Sequence, residues 1–372
     1  MITFIIFCIV IIIQIFYYSV LFGKFYFFKP IDLPKKKLRV SVVICAKDEA
    51  KNLENYLPKI ANQNYFKFEI VLVNDGSKDH SLQVMQQFKK EYTSDHLTIE
   101  IIDITTEKSK GKKSALSNGI LSAKNDYIIL TDADCKPVSK EWINEITSDF
   151  TKERTIILGY GAYRKIKDSF LNKIIRFETM LTALQYFSYA KSGMAYMGVG
   201  RNMAYKKEEF LNTNGFKDHI NIISGDDDLF INKISTKNNT TICFTKNSFT
   251  VSEPETDLHK WIWQKRRHIS TANHYKKIHQ FLLGLFYVSQ ILFWVLPILL
   301  LIWNNYTVLT IILILIRFVV WYIAIYKTAK KLDEKDLIRF SPIYEISIIF
   351  IQLYIFIRNM ISSPKQWQTI NE

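Results

Sequence analysis

Apolar and polar positions are segregated along this chain. Residues 1–23 carry no charged side chain, and 281–327 carry only Arg317 and Lys327, whereas about 24–280 is polar and charged. The run 2–22 is about as long as a helix needs to cross a ~30 Å hydrocarbon core. A retained anchor fits it better than a cleaved leader, because no basic start and no small-residue cleavage site flank it. Residues 281–303 and 306–326 predict a membrane hairpin with Asn304-Asn305 at its turn. Residues 343–360 are a weaker fourth candidate, interrupted by Glu345, Gln352 and Arg358, and suited to span or to lie in the interface. The expected organisation is an anchor at 1–23, a cytoplasmic domain at 38–275, a hairpin at 281–327 and a possible fourth segment at 343–360.

The polar middle has its own rhythm. Short β-branched runs at Leu38–Cys45, Ile70–Val73, Leu97–Ile104 and Tyr127–Thr131 alternate with helical periodicity at 48–63, 79–92 and 112–124. That alternation predicts an α/β domain with a mostly parallel sheet and helices on both faces. Ligands of such sheets bind beyond the carboxyl ends of the strands. Asp48, Asp75 and the pair Asp132/Asp134 all follow predicted strands, so they are expected to meet in one crevice. Residues 170–190 predict an amphipathic helix that either faces the core or leans on a bilayer.

Charge refines this picture. The formal net charge is +14, but many of the cations flank the apolar runs: Lys24, Lys29, Lys35, Lys36, Lys37 and Arg39, then Arg266, Arg267, Lys276 and Lys277, then Lys327, Lys330 and Lys331. That is the positive-inside pattern, which places the middle block in the cytoplasm and argues against a nucleic-acid partner. The four cysteines are scattered, with no paired spacing, so reduced thiols are expected.

Three acidic motifs carry the chemistry. Asp132-Ala133-Asp134 ends an apolar run, and its hard oxygen ligands suit Mg²⁺ or Mn²⁺ bridging phosphates. Val73-Asn74-Asp75-Gly76-Ser77 reads as a turn or as a carboxylate that holds a nucleoside. Asp226-Asp227-Asp228 starts a helix or supplies a general base. Gly111-Lys112-Lys113 is either a solvated loop or a pair of diphosphate contacts. The segment Trp261-Ile262-Trp263-Gln264-Lys265-Arg266-Arg267-His268 is a headgroup-facing basic patch, or an arginine clamp on a departing diphosphate with Trp261 and Trp263 along an acceptor path.

In order and spacing, these motifs resemble the membrane-associated, inverting glycosyltransferases of family 2, the subgroup that includes ceramide glucosyltransferases and polysaccharide synthases. The resemblance runs from Ser41–Glu49 through Asp75, Lys112, Thr131–Asp134, Gly198–Tyr205 and Gly225-Asp226 to Gln264–Arg267. It implies a GT-A fold and a hexosyltransferase of the bacterial inner membrane and cell envelope, with several membrane passes. The donor would be a nucleoside-diphosphate sugar, a UDP-sugar foremost, and the acceptor a lipid or glycan. Asp226 would be the base, with Asp227 next. Ala46, Asp48, Glu49, Asp75, Lys112, Asp132 and Arg267 would hold the donor, and Asp134 a Mg²⁺ or Mn²⁺. Gly200, Arg201, Asn202, Trp263, Gln264 and His268 would face the acceptor. His268 stands where the family usually has Trp, a position that bears on processivity. The alternatives are a processive synthase working in a larger complex or oligomer, and an inactive membrane scaffold or nucleotide-sugar sensor. A nucleotidyltransferase fits poorly, since Ala46-Lys47-Asp48-Glu49 is acidic where a basic phosphate loop belongs.

Overall fold

A computed structural model describes residues 1–30, 33–222, 224–303 and 306–362. The chain divides into two compact units: Pro30–Lys167 with Gly193–Glu255, and Met1–Lys29 with Asp168–Ser192 and the segment from Thr256 onward.

The first unit is built on a seven-stranded sheet. In chain order its strands are β1 (Val40–Ala46), β2 (Phe68–Asp75), β3 (Leu97–Ile104), β4 (Tyr127–Leu130), β6 (Ile156–Leu158), β8 (Met203–Lys206) and β9 (Thr240–Ile242). Their spatial order is β3-β2-β1-β4-β8-β6-β9. The β3-β2-β1-β4 half is parallel, as expected, while β8 runs antiparallel to both of its neighbours. Val40, Val42, Val43 and Ile44 are 0% exposed. Such continuous apolar runs suit strands covered on both faces. A small second sheet joins β5 (Cys135–Pro137), β10 (Thr250–Ser252) and β7 (Gly161–Tyr163).

Helices Ala50–Ala61, Ser81–Tyr92 and Lys112–Ser122 connect the parallel strands. The first buries Leu53, Leu57 and Ile60, one stripe at helical spacing. The third lies close on the sheet at Gly119, where a Cβ would stand 2.7 Å from Val43 Cγ1 and 2.8 Å from Val73 Cγ2. Any larger residue there would push the helix off the strands. The expected strand and helix bounds hold to within a few residues, because the burial periods that set them are unambiguous.

The second unit is helical. It contains α1 (Ile2–Ile15), α2 (Phe170–Lys191), α3 (Leu258–Ile269), α4 (Lys277–Ile302), α5 (Thr307–Lys331) and α6 (Ser341–Ile361). Among the described residues, four stretches are long and apolar enough to cross a membrane: Ile2–Tyr26, Lys277–Ile302, Thr307–Lys331 and Lys335–Ile361. The turn expected at Asn304-Asn305 lies outside the described residues.

Glu345, which interrupts the apolar pattern of α6, does not face outward. It is 1% exposed and pairs with Arg317 of α5 at 2.6 Å. Arg317 also donates to Gln14 of α1 at 3.0 Å, and Gln14 donates to Ser289 of α4 at 2.6 Å. One buried polar chain therefore ties all four long helices together. Helix α2 buries Ile174, Ile175, Phe177, Met180, Leu184 and Phe187, and its Arg176 pairs with Glu334 and Asp336. It is a core-facing helix of this unit.

Candidate active site

The parallel ladder aligns Ala46 of β1 with Asn74 of β2, and Val43 with Leu130 of β4. The carboxyl ends of β1, β2 and β4 therefore lie side by side, and the residues that follow them share one edge of the sheet. Asp75 closes β2, is 5% exposed and accepts a hydrogen bond from Ser109 Oγ at 2.8 Å. Ala46 is buried in β1 and contributes backbone. Asp48 turns the chain in a left-handed conformation, φ 57°, and its Oδ1 accepts from the Lys78 amide at 2.6 Å. That bond laces the loop after β1 to the loop after β2. Burial pushes the Glu49 carboxyl up to about 7; the Asn52 amide opposes this, and the nearby carboxylates of Asp134 and Asp132 add to it.

Asp132 and Asp134 occupy the turn after β4. Ligand atoms of Asp132, Asp134 and Cys135 all lie within 4.8 Å of one another. The buried Cys135 thiol donates to Asp134 Oδ1 at 3.2 Å, and burial, with the two carboxylates beside it, pushes its pKa well up. It therefore stays a thiol, and the effective donors are hard carboxylate oxygens, which fit Mg²⁺ or Mn²⁺. Burial, and then Asp132, raises the Asp134 carboxyl.

Lys112 begins the helix after Gly111. Its Nζ lies 2.9 Å from Asp132 Oδ1 and 3.1 Å from Asp226 Oδ2. One ammonium thus joins the acidic pair to the acidic triplet. Lys113 behaves differently. It is 5% exposed, and its Nζ donates to the carbonyls of His219 at 2.5 Å and Ile222 at 2.7 Å. It clamps the loop that leads to Asp226 and is not placed as a diphosphate contact. Only its position beside Lys112 hinted at a role, and nothing in the sequence marked the partner loop.

The triplet divides its labour. Gly225 turns the chain at φ +102°, where a Cβ would stand 2.5 Å from Leu229 Cδ1. Asp226 follows, 8% exposed and against Lys112. Burial alone would raise its carboxyl, but Lys112 outweighs this and holds it below the usual range. Asp227 Oδ1 accepts from the Asp228 amide at 2.8 Å and Oδ2 from the Gly200 amide at 2.8 Å. Asp228 is buried and bonds the Leu229 amide at 2.7 Å. The helix start expected of this triplet is realised by Asp227 and Asp228, and Asp226 is the carboxylate that pairs with Lys112.

Gly200 thus presents its amide to Asp227, whereas the two residues after it are internal ties. Arg201 donates to Ser252 Oγ at 2.8 Å and to the Gly161 carbonyl at 2.9 Å. Asn202 is 0% exposed, donates to the carbonyls of Tyr160 and Ser248, and accepts from Trp142 Nε1 at 3.0 Å. These bonds hold the start of β8 against the second sheet.

Trp263, Gln264, Arg267 and His268 belong to the other unit, on α3. Asp257 caps that helix by accepting from the Lys260 amide at 2.9 Å. The Arg267 guanidinium lies 5.4 Å from the Trp263 ring centre. His268 is exposed.

A parallel half, continued through an antiparallel strand and bearing an acidic pair after β4, is the GT-A architecture. The family description "Glycosyl transferase family 2" matches residues 41–211, and "Glycosyl transferase family group 2" matches 127–326, more than half of the chain. The chain belongs to the family-2 glycosyltransferases. It is similar to the human dolichyl-phosphate beta-glucosyltransferase, 34% identical over 111 residues, covering 28% of this chain and 32% of that one. It is 31% identical over 98 residues to a cholesterol galactosyltransferase of Borreliella burgdorferi, covering 26% of this chain and 25% of that one. It is 27% identical over 95 residues to the poly-beta-1,6-N-acetyl-D-glucosamine synthase of Staphylococcus epidermidis, covering 26% and 21%. The matched stretches span at most about a third of these relatives. Among solved structures, the mannosyltransferase PcManGT from Pyrobaculum calidifontis, in complex with GDP-Man and Mn²⁺, superposes with a TM-score of 0.56 at 15% identity. That match covers 91% of this chain and 99% of the mannosyltransferase, and shares the fold.

Proposed function

We propose that this protein is a membrane-bound inverting glycosyltransferase that moves a sugar from a nucleoside-diphosphate sugar to a lipid or glycan acceptor at the cytoplasmic face. The observation that carries this reading is the position of Lys112 between Asp132 and Asp226, 2.9 and 3.1 Å from each. It brings a diphosphate-binding motif and a buried carboxylate within the reach of one ammonium.

In the proposed reaction Asp226 takes the proton of the acceptor hydroxyl. The acceptor oxygen forms a bond to the anomeric carbon as the bond from that carbon to the diphosphate oxygen breaks, and its electron pair leaves with the diphosphate. Lys112 is freed from the carboxylates when phosphate charge arrives, and it screens that charge. Arg267 supplies a second, bidentate donor to the leaving group. A divalent ion on Asp134, with Asp132 beside it, would supply Lewis-acid neutralisation of the diphosphate. Asp75 holds the nucleoside, with Ala46, Asp48 and Glu49 around it. Gly200 orients Asp227, while Trp263, Gln264 and His268 border the acceptor. No enzyme nucleophile is used, so the anomeric configuration inverts.

The names of relatives that act on cholesterol and dolichyl phosphate support a lipid acceptor. Four helices among the described residues that are long and apolar enough to cross a membrane, with the basic clusters at their ends, support a multi-pass protein with the sheet domain inside. The test is release of nucleoside diphosphate from a panel of donors by the detergent-solubilised protein with Mn²⁺ or Mg²⁺, together with the anomeric configuration of the product. Release lost in Asp226→Asn, with inversion, supports the reading. Retention of configuration, or failure to bind any donor, overturns it.

A further inference from the structure

The acidic pair lies in a gap between the two sheets. Strand β4 ends at Leu130 and β5 begins at Cys135, so residues 131–134 belong to neither ladder. A bond from the Cys135 amide to the Asp132 carbonyl, 3.1 Å, closes the turn locally.

Both ends of this turn lead to Arg201. At its start, the buried Thr131 hydroxyl donates to the Arg201 carbonyl at 3.0 Å. At its end, Cys135 stands directly across the antiparallel ladder from Ser252 of β10. Arg201 Nη1 donates to Ser252 Oγ at 2.8 Å, and Nη2 donates to the Gly161 carbonyl of β7 at 2.9 Å. Thr250 of β10 returns a bond to the Arg201 carbonyl at 3.0 Å. The guanidinium lies 4.3 Å from the Tyr163 ring centre, a contact that favours one orientation of its plane.

The residue type matters here. A planar fork reaches Ser252 and Gly161 together, whereas an ammonium is a single point of charge on a flexible stem. The turn in question carries the carboxylates that fit a divalent ion. Mg²⁺ in particular demands near-ideal octahedral geometry, so a small shift of one ligand is felt. Groups that orient ligands from outside typically account for about 10–100-fold of metal affinity.

We propose that Arg201 is a positioning residue for the divalent ion: it braces the turn from both ends and so sets the spacing of the Asp132 and Asp134 carboxylates. This rests on the proposed metal on that pair. It assigns Arg201 to the metal turn, where the motif alone reads as acceptor-facing.

The test uses the full chain in detergent and titrates Mn²⁺, with the free ion counted by electron paramagnetic resonance. Thermal unfolding of the metal-free protein is measured alongside. Arg201→Lys keeps the charge and loses the fork, so its effect is not Coulombic; Mn²⁺ binding should weaken about 10–100-fold. Thr131→Val removes the tie at the other end and keeps the shape, and should weaken binding about three- to tenfold. Thr131→Ser keeps the hydroxyl and should bind as wild type does. Because both ties serve one brace, the double variant should lose less than the product of the two single losses. Should Arg201→Lys fail to fold, the two Thr131 variants decide. A lower unfolding temperature with wild-type Mn²⁺ affinity would make Arg201 a purely structural tie and overturn this inference alone. No Mn²⁺ binding by the wild type, or binding kept in Asp134→Asn, would overturn the proposed metal site and this inference with it.

Discussion

Lys112 Nζ lies 3.1 Å from Asp226 Oδ2, and through its second contact at 2.9 Å it ties that carboxylate to Asp132. The side chain of Lys112 is 49% exposed, so the ion pairs themselves add little to stability. Its position matters more for charge. Lys112→Met should lower turnover by about 10²–10³-fold, the usual loss when one preorganised donor to developing charge is removed. Asp226→Asn should lower it by about 10²–10⁴-fold while donor binding persists. Steady-state release of nucleoside diphosphate and calorimetric donor binding check both. An Asp226→Asn enzyme with near-native turnover would remove Asp226 from the role of base.

Lys113, next in the chain, has the opposite kind of environment. Its ammonium is buried and spends its hydrogen bonds on the carbonyls of His219 and Ile222. Lys113→Met should loosen the loop before Asp226 without touching the donor. The expected result is a kcat lowered by up to about 10²-fold with the donor KM little changed, since a small misplacement of a catalytic group is costly. Hydrogen exchange at residues 217–222 should rise in parallel. A large rise in KM with native exchange would make Lys113 a diphosphate contact after all.

The contrast between these two lysines shows what local pattern can and cannot reveal. Strands β1 to β4 and the helices between them follow from the period of buried side chains, and the acidic residues at their ends follow from the strands. The pairing of Lys113 with a loop over 100 residues away leaves no trace in local pattern. Asn202 and Arg201 sit in a motif that reads as acceptor-facing, yet their side chains are consumed by bonds to residues such as Trp142, Ser248 and Ser252. Glu345 weakened the reading of α6 because hydropathy counts a charge without its partner; Arg317 supplies that partner from another helix.

That pair gives a stability prediction. Arg317 and Glu345 are 0% and 1% exposed in their side chains. Removing one partner leaves a buried charge uncompensated, at a typical cost of ~3–5 kcal/mol, whereas replacing both by apolar residues is often neutral. Arg317→Met or Glu345→Met alone should therefore lower the unfolding temperature strongly, and the double substitution should recover most of the loss. Thermal unfolding in detergent or nanodiscs provides the measurement. A double variant less stable than either single one would mean that the wider network, with Gln14 and with Tyr18, whose hydroxyl donates to Glu345 Oε1 at 3.3 Å, carries the stability.

Asp227 makes stability depend on pH. Burial first, and then the adjacent Asp226 and Asp228, push its carboxyl up from 3.8 to about 7. Between those values the folded protein keeps a proton that the unfolded chain has released. Its contribution to stability is therefore fully present below about pH 3.8 and is lost as pH rises through about 7. Asp227→Asn removes this titration. The substitution also gives up one of the two acceptors that bond the Gly200 and Asp228 amides, a loss that is roughly the same at every pH. The diagnostic is thus the slope and not the level: between about pH 5 and pH 8 the wild-type unfolding temperature should fall relative to that of Asp227→Asn. Parallel curves across that range would mean that Asp227 is already ionised in the folded protein, and would leave it free to share the role of base with Asp226.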